Sequence, residues 1–550
     1  MLLVVAWDGA CFDVVGPLLA AGRLPTFASL LERAAVRDVM STTPAVTFPA
    51  WTTFVTAASP ALHGITDFTM RHGYGIRFLN ATHRRLPAIW SLLSERGGST
   101  GVYALPVTYP PDRFDGVMVC GFDTPLGPAR LGARTYPASL GTDIERRYGE
   151  LAVGGPSQSR IEGGWHERAL AQMARTIELR TRIVGDLIRE RRFDCFIVHY
   201  GESDTVAHQF WHLCDRESPR FVGGAPADAI ANVYERMDGA LAQLLEAAGG
   251  DVTVMVISDH GTGGTSDRAV FWNRWLAMQG HLRFRERAAS ASVSRLVRAA
   301  ALRGVPEQWQ SSLLAAMPEA AARFEGGVRL GGIDWTHTTV FSEELSYFPS
   351  LWLNVRGREP RGVVEQADVA QLLDRLTTQL LGIRDPFDGG AVVERVRRRY
   401  EVASGPYAER FPDLVLELRR PDGYSYASMS SRAGRETEPV RKLRPDEMTG
   451  ARGTSMAGAH RDRGLCILSG AKVRPGVYPA GSLADAGATA LALCGSVPHP
   501  AADGCAWTDC VDVPQSIAPS RLDVECVAVD YSAEEEAVLA DRLRALGYLS

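Results

Sequence analysis

The sequence predicts an α/β fold: a doubly wound, mostly parallel sheet with helices on both faces, interrupted by an inserted cap region. Three short apolar runs, Leu2–Trp7, Cys195–Tyr200 and Thr253–Ser258, are of strand length and lack polar alternation, so each reads as a strand buried on both faces. Helical patterns separate them in a β-α-β rhythm from residue 1 to about 264. Each run also leads into an acid: Asp8, then Glu202 and Asp204, then Asp259. Ligands of open α/β sheets bind beyond the carboxyl ends of the strands, so these acids are expected on one rim, as parts of a metal site.

Along the chain, Pro25 to Arg33 predicts a short helix and Pro87 to Arg96 another. The apolar runs Val102–Leu105 and Val117–Cys120 follow as strands. The long segment from about Glu167 to Arg192 carries Leu170, Met173, Ile177, Val184, Leu187 and Ile188 at helical spacing and feeds the Cys195 strand. Residues 265–449 break the rhythm with Arg-rich and Ala-rich stretches such as Ser292 to Leu302. They are assigned to an insertion that caps the site, leaving 1–264 and 450–550 as the core. Leu465–Leu468 restores the strand pattern. A last helix is expected from the capping box of Ser532 and Glu535, with Gly547 as its stop.

At 550 residues, 45% apolar and 22% charged, the chain has the make-up of a large globular protein, not of a disordered or fibrous one. A net charge of −5 argues against a nucleic-acid polymer or an anionic membrane as partner. No uninterrupted apolar run reaches the ~20 residues that span a bilayer. Met1 leads straight into the first strand without a basic leader, so no signal peptide and a cytoplasmic location are expected. The nine cysteines form no C-x-x-C pair and read as reduced, mostly buried thiols.

Several residues carry chemistry. Asp204-x-x-x-His208 sets a carboxylate and an imidazole on one helix face, although alone this spacing more often marks a structural hydrogen bond. Asp259-His260 at a strand end can point to neighbouring ions, with Gly261 turning the backbone away. His460 lies just before the Leu465 strand. Thr47 sits where a loop enters a helix with Pro49 in its first turn. There its hydroxyl would lie beside free N–H groups and the positive dipole end, a place for a phosphoryl oxygen; a plain Thr N-cap is the simpler reading. His63 reads as structural and His199 as a core residue of its strand. His212, one turn beyond His208, is a candidate spare or supporting ligand.

In order, Asp8, Thr47-Phe48-Pro49, His63-Gly64-Ile65, Asp204-x-x-x-His208, Ser258-Asp259-His260-Gly261 and Gly458-x-His460 resemble the motif series of the alkaline phosphatase superfamily. The resemblance is to its type I phosphodiesterase and nucleotide pyrophosphatase branch, including the bacterial phosphohydrolase/phosphomutase-like group. It extends into the insertion at Asn354–Glu359 and Pro412–Leu414. It implies an alkaline-phosphatase-like fold and two divalent metal ions, usually zinc, with manganese the second choice for mixed His and Asp ligands. Asp204, His208 and His460 would hold one ion. Asp8, Asp259 and His260 would hold the other, with Thr47 as the coordinated nucleophile. The implied activity is cleavage of a small-molecule phosphate ester, a diester favoured, through a phospho-threonine intermediate.

Departures bear on the substrate. Nucleotide pyrophosphatases carry an Asn shortly after the His-Gly-Ile motif; here Thr66-Asp67-Phe68 follows, which leaves Arg71 or His72 as candidate phosphate contacts, or as a solvated loop. Thr47 cannot be converted to the aldehyde of a sulfatase. A phosphomutase or phosphotransferase would use the same intermediate and pass the phosphoryl group to an alcohol. A non-catalytic phosphate-binding protein would be expected to have lost some of these ligands, and all are present.

Overall fold

The structure is a computed structural model; it describes residues 1–124, 133–156, 163–224, 226–285, 330, 332–345, 347–431, 434–448, 456–512 and, in pieces, 520–540. The three apolar runs become neighbouring parallel strands. Leu2–Trp7 lies at the centre, with Cys195–Tyr200 on one side and Thr253–Ile257 on the other, and Leu2 is level with both Cys195 and Thr253. Every residue of the two longer strands is buried, which is why their sequences show no polar alternation. Beyond Cys195–Tyr200 the sheet continues through Thr100–Tyr103 and Gly116–Val119, both parallel, to the antiparallel edge Thr135–Tyr136. On the other side, Arg463–Ser469 runs antiparallel between Thr253–Ile257 and Ala35–Met40. With Gly476–Val477 and Gly481–Ser482 on Ala35–Met40, the described residues form a ten-stranded, mostly parallel sheet.

Side chains of successive residues leave a strand on opposite faces, and two cores result. Leu3, Val5 and Trp7 join Phe196, Val198, Val254 and Val256 on one face, under the helices Trp165–Glu190 and Ala229–Ala248. Leu2, Val4 and Ala6 join Ile197, Met255 and Ile257 on the other, under Thr47–Thr56, Ile89–Ser94 and Leu483–Leu493. This is the doubly wound arrangement that the sequence predicts. The long helix runs over Trp165–Glu190, close to the expected span, and the short helices settle at Pro25–Leu31 and Ile89–Ser94.

The insertion builds a third core around an antiparallel sheet in the order Val340–Phe341, Ser350–Leu353, Leu414–Leu418, Val393–Arg398. Helix Val369–Leu381 buries Leu372, Leu376 and Leu380 against it. Gly261–Val270 joins this module to the main sheet: Gly261–Gly264 pairs with Gly458–Arg461, and Arg268–Val270 pairs with Val440–Lys442. The hairpin of Thr69–His72 and Gly75–Phe78 clasps the module from the other side, with Tyr74 stacked on Trp335 at 3.7 Å between ring centroids. Ser532 and Glu535 form the predicted capping box. That last helix is described at Glu535, Glu536, Leu539 and Ala540, the last two buried; its remainder to Gly547, the Ser292 to Leu302 stretch and the boundary at 449/450 lie outside the described residues. The eight described cysteines are free.

Candidate metal centre

The strand-end acids meet where the sheet's central strands finish. Helix Glu202–Cys214 starts directly after Cys195–Tyr200, so Asp204 and His208 face the rim one turn apart. His208 Nε2 lies 3.1 Å from Asp204 Oδ1. His460 Nε2 lies 3.6 Å from the same oxygen and 3.0 Å from His208 Nε2. His460 reaches this end because its strand, Gly458–Arg461, comes just before the antiparallel Arg463–Ser469. A residue preceding an antiparallel strand sits level with residues that follow parallel ones.

Asp8, Asp259 and His260 stand alongside. His260 Nε2 is 3.5 Å from both Asp8 Oδ1 and Asp259 Oδ2, and its ring stacks on that of His460 at 3.7 Å. The donor atoms of Asp204, His208 and His460 lie within 4.8 Å of one another, and so do those of Asp8, Asp204 and His260. Asp204 therefore belongs geometrically to both groups, while Asp259 adjoins the second through His260. Gly9 makes this approach possible: it has φ +68°, and a Cβ there would fall 2.8 Å from Thr262 Cγ2 and 3.1 Å from Asp204 Oδ1.

The imidazoles are held in one tautomer. Nδ1–H of His208 donates to Gly458 O at 2.9 Å, that of His260 to Gly261 O at 3.0 Å, and that of His460 to Ala45 O at 2.6 Å. Each Nε2 lone pair is thus left for the cluster, as a metal ligand requires. Tetrahedral ligands with bonds of ~2.05 Å stand roughly 3.3 Å apart, and the Asp204–His208–His460 spacings straddle that value. Asp8 Oδ1, Asp259 Oδ2 and His260 Nε2 are buried without a hydrogen-bond partner. With only protein charges around it, burial and then Asp8 push the Asp259 carboxyl well above its ordinary range. Burial and then His260 hold His460 well below its own. Among the described residues, the ion-pair partners of Asp8 and Asp259 are His199 and His260. Buried acids so placed favour cations, and this donor set fits divalent ones.

Thr47 is the first residue of helix Thr47–Thr56 and is fully buried, with Val46 as the N-cap. Its hydroxyl has no hydrogen-bond partner, so it is not the plain N-cap of the simpler reading. The N–H groups of Thr47 and Phe48 have no partner within the helix, and Pro49 has none to offer. Two contacts pin this segment to the cluster. His460 holds Ala45 O, and Trp51, one turn after Thr47, donates from Nε1 to Asp8 Oδ2 at 3.1 Å.

Other candidates are placed elsewhere. Arg71 Nη2 donates to Glu359 Oε1 at 2.9 Å and its guanidinium lies 4.0 Å from the ring centroid of Trp352, so it works in the clasp to the insertion. His72 is exposed beside Arg77. His212 packs near His166, 6.0 Å between centroids, and burial pushes it down to about 4. A four-residue ladder drifts roughly 40° per step around a helix, which turns His212 away from the line of Asp204 and His208. His63 is structural, as expected: its Nε2 lies 3.0 Å from Thr53 Oγ1 and its Nδ1 accepts from Ile65 N–H at 3.1 Å.

Two contributors escape the sequence reading. His199, read as core, lies with Nε2 2.7 Å from Asp8 Oδ2, and Trp51 meets the same oxygen. The signal was a lone imidazole inside an otherwise apolar strand, one residue from its end.

A family model described as type I phosphodiesterase / nucleotide pyrophosphatase matches residues 2–453. No curated protein matches. Among solved structures, phosphonoacetate hydrolase from Sinorhizobium meliloti 1021 in complex with phosphonoformate is 16% identical over 88% of this chain and 93% of its own, with a TM-score of 0.51. Murine ectonucleotide pyrophosphatase / phosphodiesterase 5 is 12% identical over 91% of this chain and 96% of its own, with a TM-score of 0.46. At such identities the first is a likeness of fold.

Proposed function

Because the chain belongs to the type I phosphodiesterase / nucleotide pyrophosphatase family, a family of metal-dependent phosphoester hydrolases, we propose that it cleaves a small-molecule phosphate ester, a diester for preference, with Thr47 as nucleophile. The observation that carries the assignment of Thr47 is its buried, unpartnered hydroxyl at a helix N-terminus tied to both ligand groups. In this reading Asp204, His208 and His460 hold one divalent cation, and Asp8, Asp259 and His260 hold a second. Bound there, such ions supply Lewis acidity that lowers the pKa of a hydroxyl and stabilises a leaving alkoxide. Zinc suits the His and Asp donors, with manganese second.

The protein's own part follows from its geometry. Thr47 gives up its hydroxyl proton and its Oγ1 attacks phosphorus in line; the bond to the leaving alkoxide breaks, the alkoxide takes up a proton, and a phospho-threonine forms. The N–H groups of Thr47 and Phe48 face the phosphoryl oxygens at the positive end of the helix. Burial excludes bulk water during this step. Water then attacks the phospho-threonine and restores the hydroxyl.

The test is acid-quenched intact mass with an aryl phosphate diester and the matching monoester, together with initial rates. A phosphorylated Thr47 peptide and faster diester turnover are expected. Thr47→Ala should lose the adduct and about 10³-fold or more in turnover while keeping its metal. Near wild-type turnover in that variant, with metal content intact, would remove Thr47 from this role. Turnover in oxygen-labelled water should place the label in the product phosphate, whereas a phosphomutase would incorporate little.

A further inference from the structure

Asp8 divides its two carboxylate oxygens between different neighbours. Oδ2 accepts from His199 Nε2–H at 2.7 Å and from Trp51 Nε1–H at 3.1 Å. Oδ1 has no hydrogen-bond partner and lies 3.5 Å from His260 Nε2. The two donors brace each other, since the His199 ring stands edge-on to Trp51 with centroids 5.5 Å apart at 89°. Both are buried. Behind His199, Arg180 donates to His199 O at 3.0 Å and pairs with Glu202 at 2.9 and 3.0 Å, which fixes the strand end that carries the imidazole. A cavity lined by Asp8, His199, Gly201, Glu202 and Thr205 reaches this carboxylate.

We propose that His199 and Trp51 form a two-donor clamp that saturates Oδ2, so that Asp8 offers a single oxygen to a cation. His199 is then a positioning residue for the ion of Asp8, Asp259 and His260. Both clamp donors act on Asp8, whose free oxygen faces His260, so the ion of that group should be weakened more than the other. The clamp rests on the two-cation reading above. Partners of this kind orient a ligand and typically govern metal affinity by about 10- to 100-fold. Without the donors, Oδ2 is freed to rotate or to bind bidentately.

The experiment equilibrates metal-stripped full-length protein with Zn²⁺ buffered by graded chelator and measures bound zinc per chain by elemental analysis. Wild type should bind two ions. His199→Leu should lose affinity for one by about 10- to 100-fold and for the other by clearly less, and His199→Gln, which retains an N–H donor, should recover part of the loss. Trp51→Phe preserves an aromatic ring while removing the N–H, and should weaken the same ion if His199→Leu fails to fold. Two ions in wild type with unaltered affinities in folded His199→Leu and Trp51→Phe would overturn the clamp. Equal weakening of both ions would overturn its selectivity. Fewer than two ions in wild type would instead remove the two-cation reading beneath it.

Discussion

Glu344 is buried with a left-handed backbone, φ +53°, and its carboxyl accepts from Asn273 N–H, Ser431 N–H and Ser431 Oγ–H at 2.9, 2.7 and 2.5 Å. Burial outweighs those donors and pushes it up to about 7. An unfolded Glu loses its proton near 4.3. Between those values the folded state holds a proton that the unfolded chain has released, so stability falls as pH rises through the window, by about 3 kcal/mol at its upper end. Glu344→Gln cannot titrate. In urea unfolding from pH 4 to 8 the difference between variant and wild type should therefore move toward the variant by about that amount. A difference that stays flat across the range would contradict this ionisation. The same contrast of burial and chemistry explains what was legible at single positions. Asp8, Asp204, His208, Asp259, His260 and His460 announce themselves because charged or metal-binding side chains sit at strand and helix ends. His199 and Trp51 do not, because an aromatic or imidazole ring in an apolar run is usually core, and only the three-dimensional register places both on one oxygen.

Helices give a sharper view of packing than the sequence pattern does. Leu483–Leu493 reads LADAGATALAL, with Ala or Gly at six of its eleven positions, and it packs against the Thr47 helix. A Cβ at Gly487 would stand 2.0 Å from Phe54 O, so the two helix backbones touch there. Gly487→Ala must drive them apart; overpacking of this kind costs about 1–3 kcal/mol. Its melting temperature should fall and turnover should fall with it, because the displaced helix carries Thr47 at its head. Full activity and an unchanged melting temperature would mean the contact gives way freely. Strand positions were readable almost to the residue at Leu2–Trp7 and Cys195–Tyr200, since full burial leaves an apolar signature. The clasp between core and insertion was not. Arg71 of the core donates to Glu359 of the insertion, where Arg358 in turn pairs with Asp413 at 2.7 and 2.6 Å, links between distant segments that leave no periodic trace in sequence.

Taken as one molecule, the protein gathers three buried carboxylates, Asp8, Asp204 and Asp259, at one rim of its sheet. Divalent cations that bind the folded chain and not the unfolded one stabilise it by mass action, by about 2.7 kcal/mol at a hundred times their dissociation constant. Removing metal with a chelator should lower the melting temperature, and zinc should restore it in a concentration-dependent way. Indifference to the chelator, with elemental analysis showing the metal gone, would argue that protein contacts alone balance the cluster. The parallel centre of the sheet followed from strand–helix alternation. The placement of Arg463–Ser469 did not, because nothing in an apolar run tells its direction or its neighbours. That strand lies inside the sheet, between Ala35–Met40 and Thr253–Ile257, and His460 rides just ahead of it. Protein synthesis proceeds from the amino end, and nascent segments fold as they emerge. Until residue 469 has emerged from the ribosome, the facing edges of Ala35–Met40 and Thr253–Ile257 wait without their shared partner and invite wrong pairing. His460, proposed above to complete one ligand set, arrives on the same stretch of chain. The proposed ligand and protection of the sheet are thus delivered together, by one stretch of chain.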